Sequence, residues 1–185
     1  MASIMRFDQW QNSLGQNYGT ILQVVEYHST SAVAISSTNS AKLHEASITL
    51  KSPNSAVLVM VSVGRSSYNQ DIDMGLAMGY ATSSSSASTN YTSLHGSSYN
   101  RELVTGLGSF WAQDTSEPGG GNWNGGYNIS GITFNKKHSP NVPAGTTLYY
   151  SLWGSSDGTF YVGRSWSGST DNGYDTSIIL MEVAQ

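Results

Sequence analysis

The chain contains no cysteine among its 185 residues. Disulfide bonds, thiolate nucleophiles and cysteine metal sites are therefore excluded, so the fold is stabilised by packing or by association instead of cross-links. Charged residues are also scarce, at 11% of the chain, where about a quarter is usual. Ser, Thr, Asn and Gly supply the polarity instead, a composition typical of extracellular and virion β-proteins.

The charge balance and the lengths of the apolar runs argue against further classes of protein. The net charge is −4, and no basic stripe exists to neutralise phosphates, so we expect no nucleic-acid partner. No apolar run reaches the roughly 18 residues that a transmembrane helix requires. The start of the chain, MASIMRFDQWQNS, lacks the apolar core of a secretory signal. We therefore expect neither membrane insertion nor secretion by that route.

The length fits one domain, which we divide into an amino-terminal attachment arm, residues 1–19, and a folded domain, residues 20–185. The apolar residues of the arm are Ile4, Met5, Phe7 and Trp10. They follow neither the helix nor the strand period, and exposed rings of this kind usually need a surface to dock on. The arm either folds back on its own domain or attaches the protein to a larger assembly.

Strand patterns dominate the domain from residue 20 onward. Residues 56–63 (AVLVMVSV) are apolar and β-branched, which predicts a central strand covered on both faces. Residues 72–80 alternate large apolar with small residues, as in a strand with one buried face. Residues 148–162 alternate on both sides of a Gly-bearing turn, which is a β-hairpin signal. The closing residues, 178–183, predict a strand inside a sheet that holds the carboxyl terminus.

These patterns favour an all-β fold. Short strands with frequent turn signals and no capped amphipathic helix are typical of an antiparallel β-sandwich, in particular a jelly roll. We therefore predict a jelly-roll β-sandwich preceded by the short amino-terminal arm.

No catalytic or metal-binding motif is apparent. The four histidines are not paired at metal-ligand spacing, and neither a nucleophile elbow nor a phosphate loop occurs. Asp71 and Asp73 would face the same way on a strand, as paired carboxylates do in glycoside hydrolysis or cation binding. Their position at a strand start also suits solvated side chains, which we favour. We predict no enzyme activity, metal or cofactor, with polysaccharide hydrolysis kept as a minor alternative.

A Gly-rich loop at residues 117–126 (EPGGGNWNGG) is flanked by aromatic residues. Indole rings stack on the apolar faces of sugars while amides bind their hydroxyls, so the loop is a candidate saccharide platform. Its candidate glycan-binding residues are Trp111, Asn122, Trp123, Asn124 and Tyr127. The alternative, which we favour for the rings, is that they cover a sheet edge or fill a subunit interface.

Several segments occur in an order that carries a family resemblance. They are the arm, then ILQVV (21–25), SPNS (52–55), the strand at 57–63, PAGTTLYY (143–150) and SIILMEV (177–183). This order resembles small fibre-like and tail-associated structural proteins of marine and cyanobacterial bacteriophages. The resemblance implies a jelly-roll head similar to trimeric tumour-necrosis-factor-like or C1q-like heads, located on the virion. Residues 117–126 form an insertion relative to that pattern.

We therefore expect a non-enzymatic virion structural protein that assembles as a homotrimer. It would be a tail fibre, a head fibre or a capsid decoration protein, held to other virion proteins by the arm and with its loops outward, in a position to contact host surface glycans. The alternative is a carbohydrate-binding module or a receptor-binding, lectin-like domain.

Overall fold

The computed structural model describes residues 10–11, 17–36, 40–64, 66–68, 72–94, 110–112, 127–129, 132–156, 158–163 and 175–184. Within these ranges the chain forms β-strands and one short 3-10 helix, η1 (Ser88–Asn90), with no α-helix. In chain order the strands are β1 (Trp10–Gln11), β2 (Asn17–Tyr18), β3 (Ile21–Ser29), β4 (Val33–Ile35), β5 (Ala41–Thr49), β6 (Ala56–Val63), β7 (Ser66–Tyr68), β8 (Ile72–Ala81), β9 (Thr92–Ser93), β10 (Phe110–Ala112), β11 (Tyr127–Ile129), β12 (Ile132–His138), β13 (Thr147–Ser156), β14 (Phe160–Val162) and β15 (Thr176–Val183).

Two antiparallel sheets form the body of the domain. Sheet I has the strand order β12-β6-β15-β3, and sheet II has the order β10-β8-β13-β5, with β9 also paired to β8. Sheet III, with the order β11-β7-β14-β4, is smaller, and β1 pairs with β2 in the amino-terminal segment. The predicted all-β, antiparallel sandwich is confirmed.

The core lies between sheets I and II. Every second residue of β6 and β15 is directed inward, as the strand period requires. These residues meet the inward face of β13, where Tyr150 is fully buried. The fully buried side chains of the core include Val57, Val59, Leu148, Leu152, Phe160, Ile178 and Leu180.

Three strands follow their sequence patterns closely. β6 has the bounds that its apolar run predicts and lies inside sheet I between β12 and β15. In β8, Leu76 and Met78 lie in the core as the pattern predicts, but the strand is not buried on one face only, because Gly75, Ala77 and Gly79 between them are buried as well. β15 is paired on both edges, with β3 and β6, so the carboxyl-terminal strand is held inside a sheet as predicted.

The hairpin prediction for residues 148–162 is wrong. Only residues 157–159 separate β13 from β14 in the chain, but β13 is already paired on both of its edges, with β5 and β8. No edge is left for β14, which instead pairs with β4 and β7 in sheet III. The alternating pattern correctly indicated two strands, whereas partner choice was decided by distant segments.

At one end of the sandwich, which we call the arm end, the turns are hydrogen-bonded to each other. The turn after β5 bonds to the turn before β13, since Leu50 N–H donates to the Thr146 carbonyl at 3.0 Å and Gly145 N–H donates to the Leu50 carbonyl at 2.7 Å. Gly145 adopts φ +84°, which glycine tolerates far better than other residues. The Ala184 N–H donates to the Thr20 carbonyl at 2.9 Å, so the arm leaves the domain at this end.

A buried carboxylate stabilises the arm end. Glu182 on β15 is fully buried and accepts hydrogen bonds from the Lys51 N–H at 2.9 and 3.0 Å and from the Ser52 N–H at 3.0 Å. The Gln23 amide donates a further bond at 2.6 Å. Burial alone would raise the pKa of Glu182, but these hydrogen bonds, that from Lys51 foremost, hold the pKa below its ordinary value.

Candidate functional site

The outward surface of sheet I carries an unusual apolar group. We define the apolar face as Val24, Leu58, Met60, Ile179 and Met181. Val24 lies opposite Met181, which lies opposite Leu58, and Ile179 lies opposite Met60 in the next row. Val24 is 54% exposed, and the other four are partly exposed. Three neighbouring strands, β3, β15 and β6, therefore contribute to one surface that the single chain leaves partly open to water, which marks a candidate interface.

Charges of opposite sign lie at the two edges of this surface. Glu26 is exposed on the edge strand β3, in the row of Ile179, and Lys137 is exposed on the opposite edge strand β12, beside Leu58. A surface that is apolar in its middle, acidic at one edge and basic at the other is complementary to a rotated copy of itself.

The outward surface of sheet II has a different character. Glu45 on β5 accepts hydrogen bonds at 2.5 Å from the hydroxyls of Ser84 and Ser151, and it also accepts one from the Tyr91 hydroxyl. Lys42 Nζ lies 3.3 Å from the same carboxylate. We call these five residues the Glu45 cluster. It fastens residues 82–91 over the sheet.

Electrostatics and aromatic packing support that role for the Glu45 cluster. Burial alone would raise the pKa of the Glu45 carboxyl, but its hydrogen bonds, that from Ser151 foremost, hold the pKa below the ordinary value. The Tyr91 ring packs edge-on against Trp153, with ring centroids 5.1 Å apart. The Trp153 indole is 3% exposed, and its Nε1 has no hydrogen-bond partner within the described part of the chain. Because the carboxylate is already engaged by four donors, the cluster fits a loop anchor better than a reaction centre.

The residues predicted to bind glycans are only partly within the described ranges. Trp111 belongs to β10, where it pairs with Asp73 of β8, and Tyr127 belongs to β11, where it pairs with Tyr68 of β7. Asn122, Trp123 and Asn124 lie outside the described residues.

The strands that carry Trp111 and Tyr127 pair with β8 and β7, which follow one another in the chain. Only residues 69–71 separate β7 from β8, and the paired residues lie at the end of the sandwich away from the arm end. The backbones of the two aromatic residues are therefore within about 27 Å, from strand rise and spacing. The structure thus places these two of the predicted residues at the same end of the molecule.

Of the predicted arm residues, Trp10 lies in β1, paired with Tyr18 of β2. Ile4, Met5 and Phe7 lie outside the described residues. The described part of the arm therefore includes a short antiparallel pair that its sequence pattern did not predict.

The edge strand of sheet II contains a large interruption. β9 and β10 both pair antiparallel with β8, Ser93 opposite Gly79 and Phe110 opposite Met74. Seventeen positions separate Ser93 from Phe110, whereas their partners are five apart. The chain thus inserts a segment within this edge, on the way to Trp111 and the Gly-rich residues 117–126.

The described residues contain neither a candidate metal-binding group nor a candidate membrane-spanning helix. Within them, no group of three or more His, Asp or Glu side chains comes together in a way that could hold a metal ion. The same ranges contain no helix with the length and apolarity to cross a bilayer. Of the two carboxylates considered for hydrolysis, Asp73 lies in β8 and Asp71 lies outside the described residues.

Comparison with known proteins gives no family assignment: no protein-family model matches the chain, and no curated protein sequence matches it. Functional inference therefore depends on the surfaces themselves. Sequence reasoning missed the Glu45 cluster because its hydrogen-bonded members are up to 106 positions apart. The apolar face had a visible signal, since β6 and β15 are apolar at both alternating sets of positions.

Proposed function

We propose that this chain is a non-enzymatic structural protein of a bacteriophage virion that assembles as a homotrimer through the apolar face. The observation that carries the proposal is the partly exposed surface of Val24, Leu58, Met60, Ile179 and Met181 on sheet I. Its placement in a virion rests on the resemblance to phage fibre proteins and on the composition.

The outward surface of sheet I is large enough to support self-association. Its four strands at about 4.8 Å spacing and about eight residues at about 3.3 Å rise span roughly 500 Å², and the apolar face occupies part of this area. A stable interface buries about 800 Å² on each partner, so the outward surface of sheet I together with an adjoining edge is of the required order. Burial of apolar area contributes roughly 25 cal/mol per Å², so covering the apolar face with a sister subunit is favourable.

The charges at the edges favour a rotational arrangement. In a closed ring the β3 edge of one subunit meets the β12 edge of the next, so Glu26 approaches Lys137 of the neighbouring copy. Such a contact repeats identically around the ring and leaves no edge unpaired. The same arrangement covers β6 on its second face, as its sequence requires.

The strand order supports a jelly roll. With β3, β5, β6, β8, β10, β12, β13 and β15 as the eight principal strands, the first pairs with the last, and the second pairs with the seventh. The third lies between the eighth and the sixth, and the fourth lies between the seventh and the fifth. Two interlocked Greek keys generate this order.

Light scattering coupled to size exclusion tests the assembly. We expect a trimer at micromolar concentration, and we expect Val24→Asp to shift it toward the 19.8 kDa monomer, because a buried unpaired charge is strongly unfavourable. Ser47→Asp is the matched control, since Ser47 is exposed on the outward side of sheet II, and it should leave the trimer intact. A stable wild-type monomer would contradict the proposal.

A charge exchange tests the ring. Glu26→Lys and Lys137→Glu should each weaken the trimer because like charges then face each other, and the double variant should restore it. If the double variant does not restore the trimer, the Glu26–Lys137 contact is ruled out. The apolar contact is tested separately by Val24→Asp.

Glycan binding at the end away from the arm is the second candidate function. It is favoured by the placement of the strands that carry Trp111 and Tyr127 on neighbouring elements. Trp111→Ala and Trp123→Ala should abolish glycan-array binding with little change in melting temperature. A large fall in melting temperature for both would instead assign the rings to packing.

A further inference from the structure

Two contacts between histidine and tyrosine join the sheets of the sandwich. His44 on β5 of sheet II lies with Nδ1 3.0 Å from the hydroxyl of Tyr27 on β3 of sheet I. His138 on β12 of sheet I lies with Nδ1 2.8 Å from the hydroxyl of Tyr150 on β13 of sheet II. β3 and β12 are the two edge strands of sheet I, so each lateral side of the sandwich is closed by one such contact.

His44 has no means of accommodating a positive charge in place. It is 4% exposed, and its buried Nε2 has no hydrogen-bond partner among the residues that the structure describes. The titratable group that faces it among the described residues is Tyr27, whose ring centroid lies 5.6 Å away. On its own strand, Lys42 and Glu45 are engaged with each other in the cluster on the outward side of sheet II. A protonated His44 would therefore be a buried cation with one unpaired N–H, which is strongly unfavourable.

His138 lies in a similar aromatic environment. The centroid of its ring lies 4.0 Å from that of the Tyr80 ring on β8. It lies 5.8 Å from that of the Tyr150 ring, which it meets edge-on. Burial, and to a smaller extent the nearby Tyr80, raises the pKa of Tyr150, so this partner stays neutral. The neighbouring Lys136 and Lys137 on its own strand are exposed and positive, so no described carboxylate offsets a charge on His138.

We propose that the two contacts are acid-sensitive latches, in which protonation of His44 and His138 releases the edge strands β3 and β12 from the facing sheet. Release hydrates the imidazolium and supplies water to the nitrogen that lacks a partner. Because both latches lie at edge strands, they open without separating the central strands β6 and β15.

The sign of the pH dependence follows from burial. Burial lowers the pKa of both His44 and His138 below the value of about 6.5 that an opened, hydrated histidine has. The closed form is therefore fully favoured above about pH 6.5, and its stability relative to the opened form decreases as pH falls toward the lowered pKa. His28 behaves oppositely, because its hydrogen bond to Asp175 raises its pKa, and the contact weakens as pH rises.

Hydrogen exchange of the full chain tests the latches. Between about pH 7.5 and pH 5, one histidine can shift the opening equilibrium by up to about 30-fold, given an opened pKa near 6.5. After correction for intrinsic exchange, we expect the protection factors of the β3 and β12 amides to fall by up to about this factor. The protection factors of the β6 amides should change much less. The variants His44→Asn and His138→Asn keep a neutral polar atom near the Nδ1 position. His44→Asn should abolish the loss of protection on β3, and His138→Asn should abolish the loss on β12.

The variant His28→Asn is the matched control and should leave the loss of protection in place. The histidine proton resonances of the wild-type chain give a second measurement that needs no variant. Two of them should titrate below the ordinary value and that of His28 should titrate above it. The proposal is overturned if wild-type β3 and β12 amides change by less than about twofold, if β6 changes as much as they do, or if His44 and His138 titrate normally.

Discussion

Replacing Glu182 by glutamine should destabilise the fold more than any other single-atom change at the arm end. The side chain is fully buried, and its two oxygens receive the N–H groups of Lys51 and Ser52 and the amide of Gln23. Glutamine has nearly the same shape, but one of its oxygens becomes an NH₂ group. That NH₂ then faces a donor instead of accepting from it.

The magnitude follows from the number of bonds that change. Hydrogen bonds to a charged group contribute roughly 1.5–3 kcal/mol each, and a buried donor left unsatisfied costs about 1–3 kcal/mol. Since one oxygen and its bonds survive in Glu182→Gln, we expect a loss of about 2–4 kcal/mol in the free energy of unfolding. For a domain of this size that lowers the melting temperature by roughly 4–16 °C.

The assay is urea denaturation at several pH values. Hydrogen bonding holds the pKa of Glu182 low, so its contribution is present above about pH 4.5 and is lost as pH falls through the folded-state pKa. The difference between wild type and variant should therefore narrow as the solution is acidified.

Ser47→Ala, on the exposed outward side of β5 and away from the proposed trimer contact, is the control for Glu182→Gln and should stay within about 0.5 kcal/mol of wild type. If Glu182→Gln matched this control at neutral pH, the reasoning about the arm end would be refuted.

Two further changes probe packing and the outward cluster. Gly154→Ala should lower the free energy of unfolding by about 1–3 kcal/mol through overpacking, because the added Cβ would overlap the Cδ1 of Ile35. Valine lacks that atom, so calorimetry should show that the double variant with Ile35→Val recovers part of the loss. Glu45→Gln should lower stability by about 1–3 kcal/mol and speed proteolytic cleavage within residues 82–94, since the carboxylate fastens that segment; unchanged cleavage would show that the segment is held by other contacts.

The strands that the sequence identified share one property, which is that local pattern alone specifies them. The β-branched run of β6, the alternation of large and small residues in β8 and the apolar end of β15 each contain enough side-chain information to define a strand. The pattern of β5 is less clear because Lys42, His44 and Glu45 interrupt its apolar positions, although the structure continues the strand through them.

The candidate surfaces were predictable to different degrees. The apolar face follows from strands that are apolar at both alternating sets of positions, as in β6, once the structure shows which set is directed outward. The Glu45 cluster and the two histidine latches could not be predicted, because their partners come from strands that only the fold brings together. Trp111 and Tyr127 were singled out from composition, and their strands do lie on neighbouring elements.

By itself, the sequence determined where most of the chain is extended and that no cross-link holds it, because side-chain period and residue type act locally. The tertiary structure decided which strands pair, so β13 and β14 part into different sheets and Glu182 becomes a buried anchor at a turn 131 positions away. Pairing is a competition among distant edges for the same backbone hydrogen bonds, and its outcome depends on the whole chain at once.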